Sequence, residues 1–378
     1  MLANLQKMRW LVLVLIQVCS SSARCWNSTS AYGTVQLDAW GNNSIRVRIA
    51  PPGSPIVDPP IMALLPSPEV LLCTRLSDKL SLSHGNIAVS LNDSTGFIQV
   101  TRVSDGSILL QQTLGLWGPA SPGSRAQSVS ATVGFLGLQL TERIYGLGEH
   151  ADGAVARTSF STLWHQDNNG DVFVPFYLSS KGYGFLWNLP GFGFFNASYD
   201  SIVWQANATL NVDFWITTSG SSSLNMFADI LQSYADAVGH APPMPDYATG
   251  FWQSKNRYRN QSQLLDIAAG YAARSLPLSV IVIDYLSWVT LGDWTFNSAC
   301  WPDPQGMVNT LKAQGVELMV SFYPYQVEGS SHYTEFLEGG FLNTNLTGGY
   351  GTSFGGCLGG TYVYDAFSPE ARNATFQV

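Results

Sequence analysis

Charged residues are scarce in this sequence, and their scarcity excludes several classes of protein. Only 12% of the 378 residues are charged, whereas 46% are hydrophobic. Disordered chains have the opposite composition, rich in charge and poor in apolar residues, so the sequence predicts a folded protein. The net charge is -8, and Lys and Arg form no dense run that could neutralise phosphates. We therefore expect no nucleic acid partner.

Histidine is also rare, and the histidines form no catalytic or metal-binding motif. The five histidines lack H-E-x-x-H spacing, and no G-x-S-x-G nucleophile elbow accompanies them. No Gly-rich phosphate loop follows a strand pattern. These absences argue against a metalloprotease, an α/β-hydrolase and a nucleotide-binding protein, and we expect neither a metal nor a cofactor.

The N-terminus has a charged region, an apolar region and a small-residue region, in the order found in secretory signal peptides. Lys7 and Arg9 precede the apolar residues 10–18, and small residues follow up to Ala23. This stretch is far shorter than the roughly 20 apolar residues that a membrane-spanning helix needs. We predict that residues 1–23 are removed, that no membrane anchor remains after this cleavage, and that the product is secreted and extracellular.

Secretion predicts glycan acceptor sites, and the sequence contains candidates. N-x-S/T sequons occur at Asn27, Asn42, Asn92, Asn196, Asn207, Asn260, Asn345 and Asn373. Because Ser and Thr are abundant, some of these sequons arise by chance, and the set as a whole carries the prediction.

The cysteines are few, and their spacing favours disulfides over a metal site. Of the five cysteines, Cys19 lies in the predicted signal peptide, which leaves Cys25, Cys73, Cys300 and Cys357. No pair has the short spacing of a zinc site. Four cysteines allow three pairings, and proximity in sequence favours Cys25–Cys73 and Cys300–Cys357.

The first half of the chain has the pattern of an all-β domain. Short β-branched or aromatic runs alternate with Gly, Asn, Asp and Ser turns, which predicts an antiparallel β-sandwich over residues 24–220. Residues 221–240 then place apolar side chains at helical spacing, and the Pro-rich APPMPDY follows. We therefore predict a helix and a linker over residues 221–246.

From residue 247 to residue 378 the pattern becomes strand, helix, strand, helix, strand. The strand candidates are ATGFWQSK, LSVIVIDY and VELMVSFY. This order predicts a parallel βα array, and the lack of a phosphate turn after the first strand favours a (β/α)8 TIM barrel over a doubly wound sheet. About three of the eight units fit before Val378, so we expect an incomplete barrel.

Residues at the carboxyl ends of these strands are candidates for a site, because barrel active sites lie there. Asp284 directly follows VIVI, where a charge must be paired, solvated or functional. A carboxylate among aromatic rings suits a sugar, which offers hydroxyls and apolar C–H faces. Trp252 and Trp288 are aromatic candidates, although buried tryptophans also serve as core. Asp293 and Trp294 either rim the same pocket or make a local turn.

Several segments together resemble glycoside hydrolase family 31. They are YGLGEH (145–150), VPFYLSSKGYGFLWN (174–188), GFWQSKNRYRNQSQL (250–264), LPLSVIVIDYLSW (276–288), GDWTF (292–296) and WPDPQGMVNTLKAQGVELMVSFYP (301–324). Within the family, they are most similar to the α-xylosidase-like branch. The resemblance implies a β-sandwich before a (β/α)8 barrel, and a retaining glycosidase acting on oligo- or polysaccharides with a terminal α-linked xylosyl or glucosyl group.

The resemblance also implies roles for individual residues. Asp284 binds hydroxyls of the non-reducing sugar, and Trp252, Trp288 and Trp294 shape the pocket. Asp167 lies in WHQDNNG, which is similar to the family's W-N-x-D-G-G loop, although His165, Asn168 and Asn169 depart from that pattern.

The family's catalytic carboxylates are expected after Val378. The nucleophile lies in a W-x-D-x-x-E motif at the fourth strand and the acid/base later, and neither motif occurs in the 378 residues. A retaining mechanism needs both carboxylates, so we expect no hydrolysis by this chain alone. The alternatives are a non-catalytic carbohydrate-binding or interaction fragment, and an extracellular β-rich structural domain.

Overall fold

The computed structural model of the chain describes residues 26–29, 32–58, 63–66, 81–92, 94–120, 128–139, 141–164, 172–220, 225–343, 361–366 and 368–377. The predicted signal peptide, Asp167, Cys25, Cys73, Cys357, Asn345 and the side chain of Asn27 lie outside the described residues, so the predictions about them stay predictions. The chain divides into two compact units, residues 1–240 and 241–378.

The first unit is built from antiparallel strands. They are β1 (Trp26–Thr29), β2 (Thr34–Ala39), β3 (Ser44–Ala50), β4 (Ser81–His84), β5 (Ile87–Leu91), β6 (Ile98–Arg102), β7 (Ile108–Pro119), β8 (Val129–Leu136), β9 (Ile144–Glu149), β10 (Phe160–Trp164), β11 (Val172–Ser179), β12 (Tyr183–Trp187), β13 (Gly193–Ala197), β14 (Ser201–Thr209) and β15 (Val212–Thr218). One sheet has seven strands in the order β1-β2-β3-β15-β12-β11-β9, and the other has eight in the order β10-β13-β14-β8-β7-β6-β5-β4.

The two sheets share one hydrophobic core, which confirms the predicted sandwich. In β14 burial alternates along the strand, so that Ile202, Trp204 and Ala206 are buried and the residues between them are half-buried. A strand buried on one face shows this period of two. The ring of Trp204 lies 5.5 Å from that of Phe185 in the opposite sheet. Aromatic side chains bury more area than other residues, so these rings account for much of the core.

Helix α1 (Met226–Val238) lies within the segment predicted to be helical and packs on the outer face of the seven-stranded sheet. Ile230 on this helix is fully buried, and the ring of Tyr234 stacks on Phe176 at 3.9 Å. The backbone N–H of Leu65 donates to the carbonyl of Ala237. The helix thus belongs to the first unit, because its apolar face is covered by that sheet.

The second unit opens with a parallel sheet, as predicted. Strands β16 (Trp252–Lys255), β17 (Val280–Ile283) and β18 (Glu317–Val320) lie side by side in chain order. Helices α2 (Gln261–Ala273) and α3 (Pro304–Ala313) connect them. Asn260 and Asp303 cap these helices, each accepting a hydrogen bond from the backbone N–H three residues later. Such caps satisfy N–H groups that have no partner within a helix.

The remaining elements follow β18. They are the antiparallel pair β19 (Tyr325–Val327) and β20 (Thr361–Val363), and helices α4 (Tyr333–Glu338) and α5 (Pro369–Gln377); a short 3-10 helix, Asp246–Thr249, precedes β16. Ser368 caps α5, since its hydroxyl accepts a hydrogen bond from the N–H of Ala371. Among the described helices, none has the length and apolar character to cross a membrane.

Candidate functional site

Asp284 lies directly after β17, at the carboxyl end of the parallel sheet. It is half-buried, and in the described part of the chain its carboxylate accepts no hydrogen bond from a protein donor. A partly desolvated carboxylate without such a donor retains its capacity to accept hydrogen bonds from a ligand.

The two residues after Asp284 adopt left-handed backbone conformations. Tyr285 has φ 40° and Leu286 has φ 58°. Such conformations cost of order 1–3 kcal/mol each for residues with a side chain, and they concentrate at functional sites. The pair turns the chain sharply where Asp284 is presented, and the sequence pattern had no signal for it.

Aromatic rings gather beside Asp284. The rings of Tyr285, Trp288 and Tyr323 contact one another edge to face, with centroids 5.7 to 6.0 Å apart. Burial raises the pKa of Tyr323 above its ordinary value, and the Asp284 carboxylate raises it further. The hydroxyl of Tyr323 therefore stays protonated beside the carboxylate at neutral pH. The structure brings Trp288 together with Asp284 through Tyr323, which lies after the third strand.

Asp293 holds two loops together. Its carboxylate accepts hydrogen bonds from the N–H of Thr290 and from the N–H and hydroxyl of Ser331, at 2.8 to 3.0 Å. The loop after β17 is thereby attached to the chain that follows β19. This geometry supports the local structural role that the sequence left open, and a role for Asp293 in binding stays a prediction.

Trp294 and Gln326 strengthen the same connection. The indole N–H of Trp294 donates to the backbone carbonyl of Tyr323 at 2.8 Å, and its ring stacks on His332. Gln326 is fully buried and donates to the carbonyl of Gly292 at 3.2 Å. We call Asp293, Trp294 and Gln326 the loop clamp, because they fix the position of the backbone that carries Tyr323.

The predicted position of Trp252 at the carboxyl end of its strand is wrong. Trp252 is the first residue of β16 and pairs in register with Val280, whereas Lys255 pairs with Ile283, just before Asp284. Three residues span roughly 10 Å along a strand, so Trp252 lies toward the opposite end of the sheet from Asp284. Its indole N–H donates to the carbonyl of Ala248. Lys255, which the sequence pattern also placed at the end of this strand, is the residue of β16 at the Asp284 end.

The structure gives the exposure of the remaining predicted modification sites but does not test whether they are modified. Cys300 has a free thiol within the described residues, and its proposed partner Cys357 lies outside them, so this pairing stays a prediction. The sequon asparagines that are exposed are Asn42, Asn92, Asn260 and Asn373, whereas Asn196 and Asn207 are half-buried. Among the described residues, no group of His, Cys, Asp and Glu side chains is arranged to hold a metal ion.

Comparison with known proteins identifies both units. Residues 34–196 match the "Glycosyl hydrolase 31 N-terminal galactose mutarotase-like domain", and residues 241–377 match the "Glycosyl hydrolases family 31 TIM-barrel domain". These matches confirm the predicted β domain followed by the first part of a TIM barrel.

Individual relatives agree with these matches. An uncharacterized family 31 glucosidase from Pseudescherichia vulneris is 34% identical over 365 residues, covering 89% of this chain and 66% of the relative. Alpha-xylosidase A from Aspergillus niger is 29% identical over 95% of this chain and 52% of its own length. The crystal structure of a family 31 α-xylosidase from a soil metagenome, complexed with xylose, is 32% identical with a TM-score of 0.79, covering 93% of this chain and 53% of that protein.

The chain thus spans between about half and two thirds of the length of these relatives. Two matches to domains of the same family, in the family's order, lie one in each compact unit. The chain belongs to glycoside hydrolase family 31.

Proposed function

We propose that this chain supplies the sugar-binding part of a retaining α-glycosidase that acts on terminal α-xylosyl or α-glucosyl groups. Asp284 binds hydroxyls of the terminal sugar, and the rings of Tyr285, Trp288 and Tyr323 surround it. The observation that carries the proposal is the half-buried Asp284 carboxylate with no protein donor in the described part of the chain. The α-xylosidases among the relatives favour xylose over glucose as the first sugar to test.

The chemistry of the site supports binding. A carboxylate accepts hydrogen bonds from two neighbouring sugar hydroxyls, and charge-assisted bonds are stronger than neutral ones. The protonated Tyr323 hydroxyl adds a donor beside it, because burial and Asp284 both raise its pKa. Aromatic rings exclude water around these polar groups and contact the apolar faces of the sugar ring.

The binding test is isothermal titration of the 378-residue chain with xylose and with glucose. Asp284→Asn is expected to weaken binding about 10- to 100-fold, since a hydrogen bond to a charged group contributes about 1.5–3 kcal/mol. Asp266→Asn is the matched control, because Asp266 is exposed on α2. Equal affinity of the two variants for both sugars would refute the role of Asp284.

Hydrolysis by these 378 residues alone is not part of the proposal. Double displacement needs a nucleophile and an acid/base about 5–5.5 Å apart, and the family's W-x-D-x-x-E motif does not occur in the sequence. Asp284 is a poor substitute, because a carboxylate that holds sugar hydroxyls is badly placed to attack the anomeric carbon.

Turnover is therefore tested separately. We expect no release of the aryl group from an aryl α-xyloside or α-glucoside by the purified chain. Release that disappears in Asp284→Asn but persists in Asp266→Asn would make Asp284 a catalytic residue and overturn this assignment.

We further propose that the protein is secreted, with cleavage near Ala23, N-glycans on exposed sequons and a Cys300–Cys357 disulfide. The charged and apolar N-terminus and the exposed Asn42 and Asn92 support this proposal. N-terminal sequencing of protein from a culture medium is the test. An intact Met1 on secreted protein would contradict it.

A further inference from the structure

A cleft of about 320 Å³ opens in the first unit. Its lining comes from both sheets, with Ile108 and Leu110 of β7 on one side and Lys181 and Tyr183 on the other. We call it the sandwich cleft. Small-molecule sites in proteins have about 300–1,000 Å³ and combine an apolar lining with a few placed polar groups, so its size is sufficient for a ligand.

The polar side of the sandwich cleft is organised around Glu142. This carboxylate is buried and accepts hydrogen bonds from the hydroxyls of Ser179 and Tyr183, at 2.6 and 3.1 Å, and from the N–H of Gln139 at 3.3 Å. The ammonium group of Lys181 lies 3.0 Å from Glu142 Oε2, which also accepts the hydrogen bond from Gln139. A carboxylate has about four acceptor positions, so Glu142 has none left for a ligand.

Lys181, in contrast, retains hydrogen-bond donors that a ligand could use. Its side chain is 30% exposed, and Lys181 is one of the residues that line the cleft while its ammonium group contacts Glu142. An ammonium group has three donors, and Glu142 takes one of them. Because Glu142 balances the charge of Lys181, a neutral oxygen acceptor suits this position better than an anion, which would also meet the carboxylate.

The other side of the sandwich cleft is aliphatic. Ile202 and Leu110 are buried in its floor, whereas Ile108 and Leu136 are 46% and 49% exposed at its rim. When an apolar group covers exposed side chains of this type, the free energy of binding becomes more favourable by about 25 cal/mol for each Å² removed from water.

We propose that the sandwich cleft binds a neutral amphipathic molecule. A hydroxyl or ether oxygen of this molecule accepts a hydrogen bond from Lys181, and its alkyl or aryl group lies against Ile108 and Leu136. The chemical class is that of alkyl and aryl glycosides, which join a hydroxylated ring to an apolar group. This site lies within the first unit and does not depend on the proposed glycosidase function.

The experiment is isothermal titration of the full chain carrying Asp284→Asn, which removes the proposed sugar site, with hexyl β-D-glucopyranoside as the probe. Glucose, hexan-1-ol and hexanoate are titrated in parallel. We expect the glycoside to bind at least about tenfold more tightly than glucose or hexanol, because each of these lacks one half of the contacts. Hexanoate is expected to bind no more tightly than hexanol, because Glu142 repels it.

Variants connect the binding to the sandwich cleft. Leu136→Trp and, as a second filling variant, Ile108→Trp place a larger side chain at the rim and are expected to weaken glycoside binding about tenfold or more. Leu116→Trp is the matched control, since Leu116 is 55% exposed on β7 and lies outside the cleft. All of these titrations are made in the Asp284→Asn background, so that sugar binding at Asp284 adds no signal.

Three results would overturn the proposal. The first is glycoside binding that both filling variants leave unchanged while their melting temperatures match that of the native chain. The second is hexanoate binding more tightly than the glycoside, which would contradict the charge argument. The third is an absence of glycoside binding to the native chain at millimolar concentration.

Discussion

The buried ion pair between Arg46 and Asp213 is expected to be the most sensitive charged contact in the first unit. Both side chains are at most 1% exposed, and the guanidinium donates to the two carboxylate oxygens at 3.0 and 2.5 Å. The side-chain amide of Asn188 donates a third hydrogen bond to Asp213 at 3.1 Å. Beyond this pair, Arg46 also contacts Asp58, whose side chain is 53% exposed.

Asp213→Asn removes the charge but keeps the size of the side chain. The guanidinium of Arg46 then stays buried, with the half-exposed Asp58 as a carboxylate partner. Removing one member of a buried pair costs about 3–5 kcal/mol, because the other charge loses its compensation. For 150–250 residues, 1 kcal/mol corresponds to about 2–4 °C, so the melting temperature should fall by roughly 10 °C.

Thermal unfolding by circular dichroism measures this change. The control is Asp105→Asn, because Asp105 also contacts an arginine at 3.0 Å but has a side chain that is 53% exposed. Exposed pairs contribute little to stability, so the control should melt close to the native protein. The double variant Arg46→Met/Asp213→Leu should melt above Asp213→Asn, since it leaves no buried charge unpaired. Equal melting temperatures for Asp213→Asn and Asp105→Asn would refute the reasoning.

Two further predictions concern smaller changes. Trp294→Phe removes the hydrogen bond to the carbonyl of Tyr323, so the free energy of unfolding should fall by about 0.5–1.5 kcal/mol. Urea denaturation measures this change. Hydrogen bonds from the hydroxyl and N–H of Ser107, together with Arg102, lower the pKa of Asp105 to about 2. Ser107→Ala should therefore raise the pKa of Asp105, which a carboxyl NMR titration of aspartate-labelled protein measures. Because the folded pKa is lowered, the small stabilisation that this exposed carboxylate provides is present above the unfolded pKa of about 3.9 and is lost as the pH falls toward 2. An unchanged pKa in Ser107→Ala, or unchanged urea denaturation in Trp294→Phe, would contradict the respective prediction.

Features that depend on neighbours in sequence were predictable. The alternation in β14, the order of β16, α2 and β17, and the capping of α5 by Ser368 each follow from side-chain periodicity or from local hydrogen bonding. The identity of Asp284 as a site candidate came from the same source. A charge after four apolar residues is unusual enough to be recognised in the sequence.

The position of Trp252 could not be predicted in this way. An apolar run shows that a strand exists but does not show where pairing begins, and the register with Val280 makes Trp252 the first residue of β16. The pair β19 and β20 was missed for a related reason. Each strand has only three residues, and the partners are far apart in sequence, so no periodic pattern indicates them.

The site itself requires contacts that no single segment contains. Tyr323 reaches Asp284 because the backbone after β18 is held by Trp294, and Gln326 buries its side chain against Gly292 in the preceding loop. A carbohydrate site needs such support, since its polar groups must keep their positions while a flexible, hydrated ligand binds. If the proposed sugar site is correct, we expect the residues of the loop clamp to affect sugar binding through the position of Tyr323. Direct contact of Asp293 and Trp294 with the sugar stays a prediction.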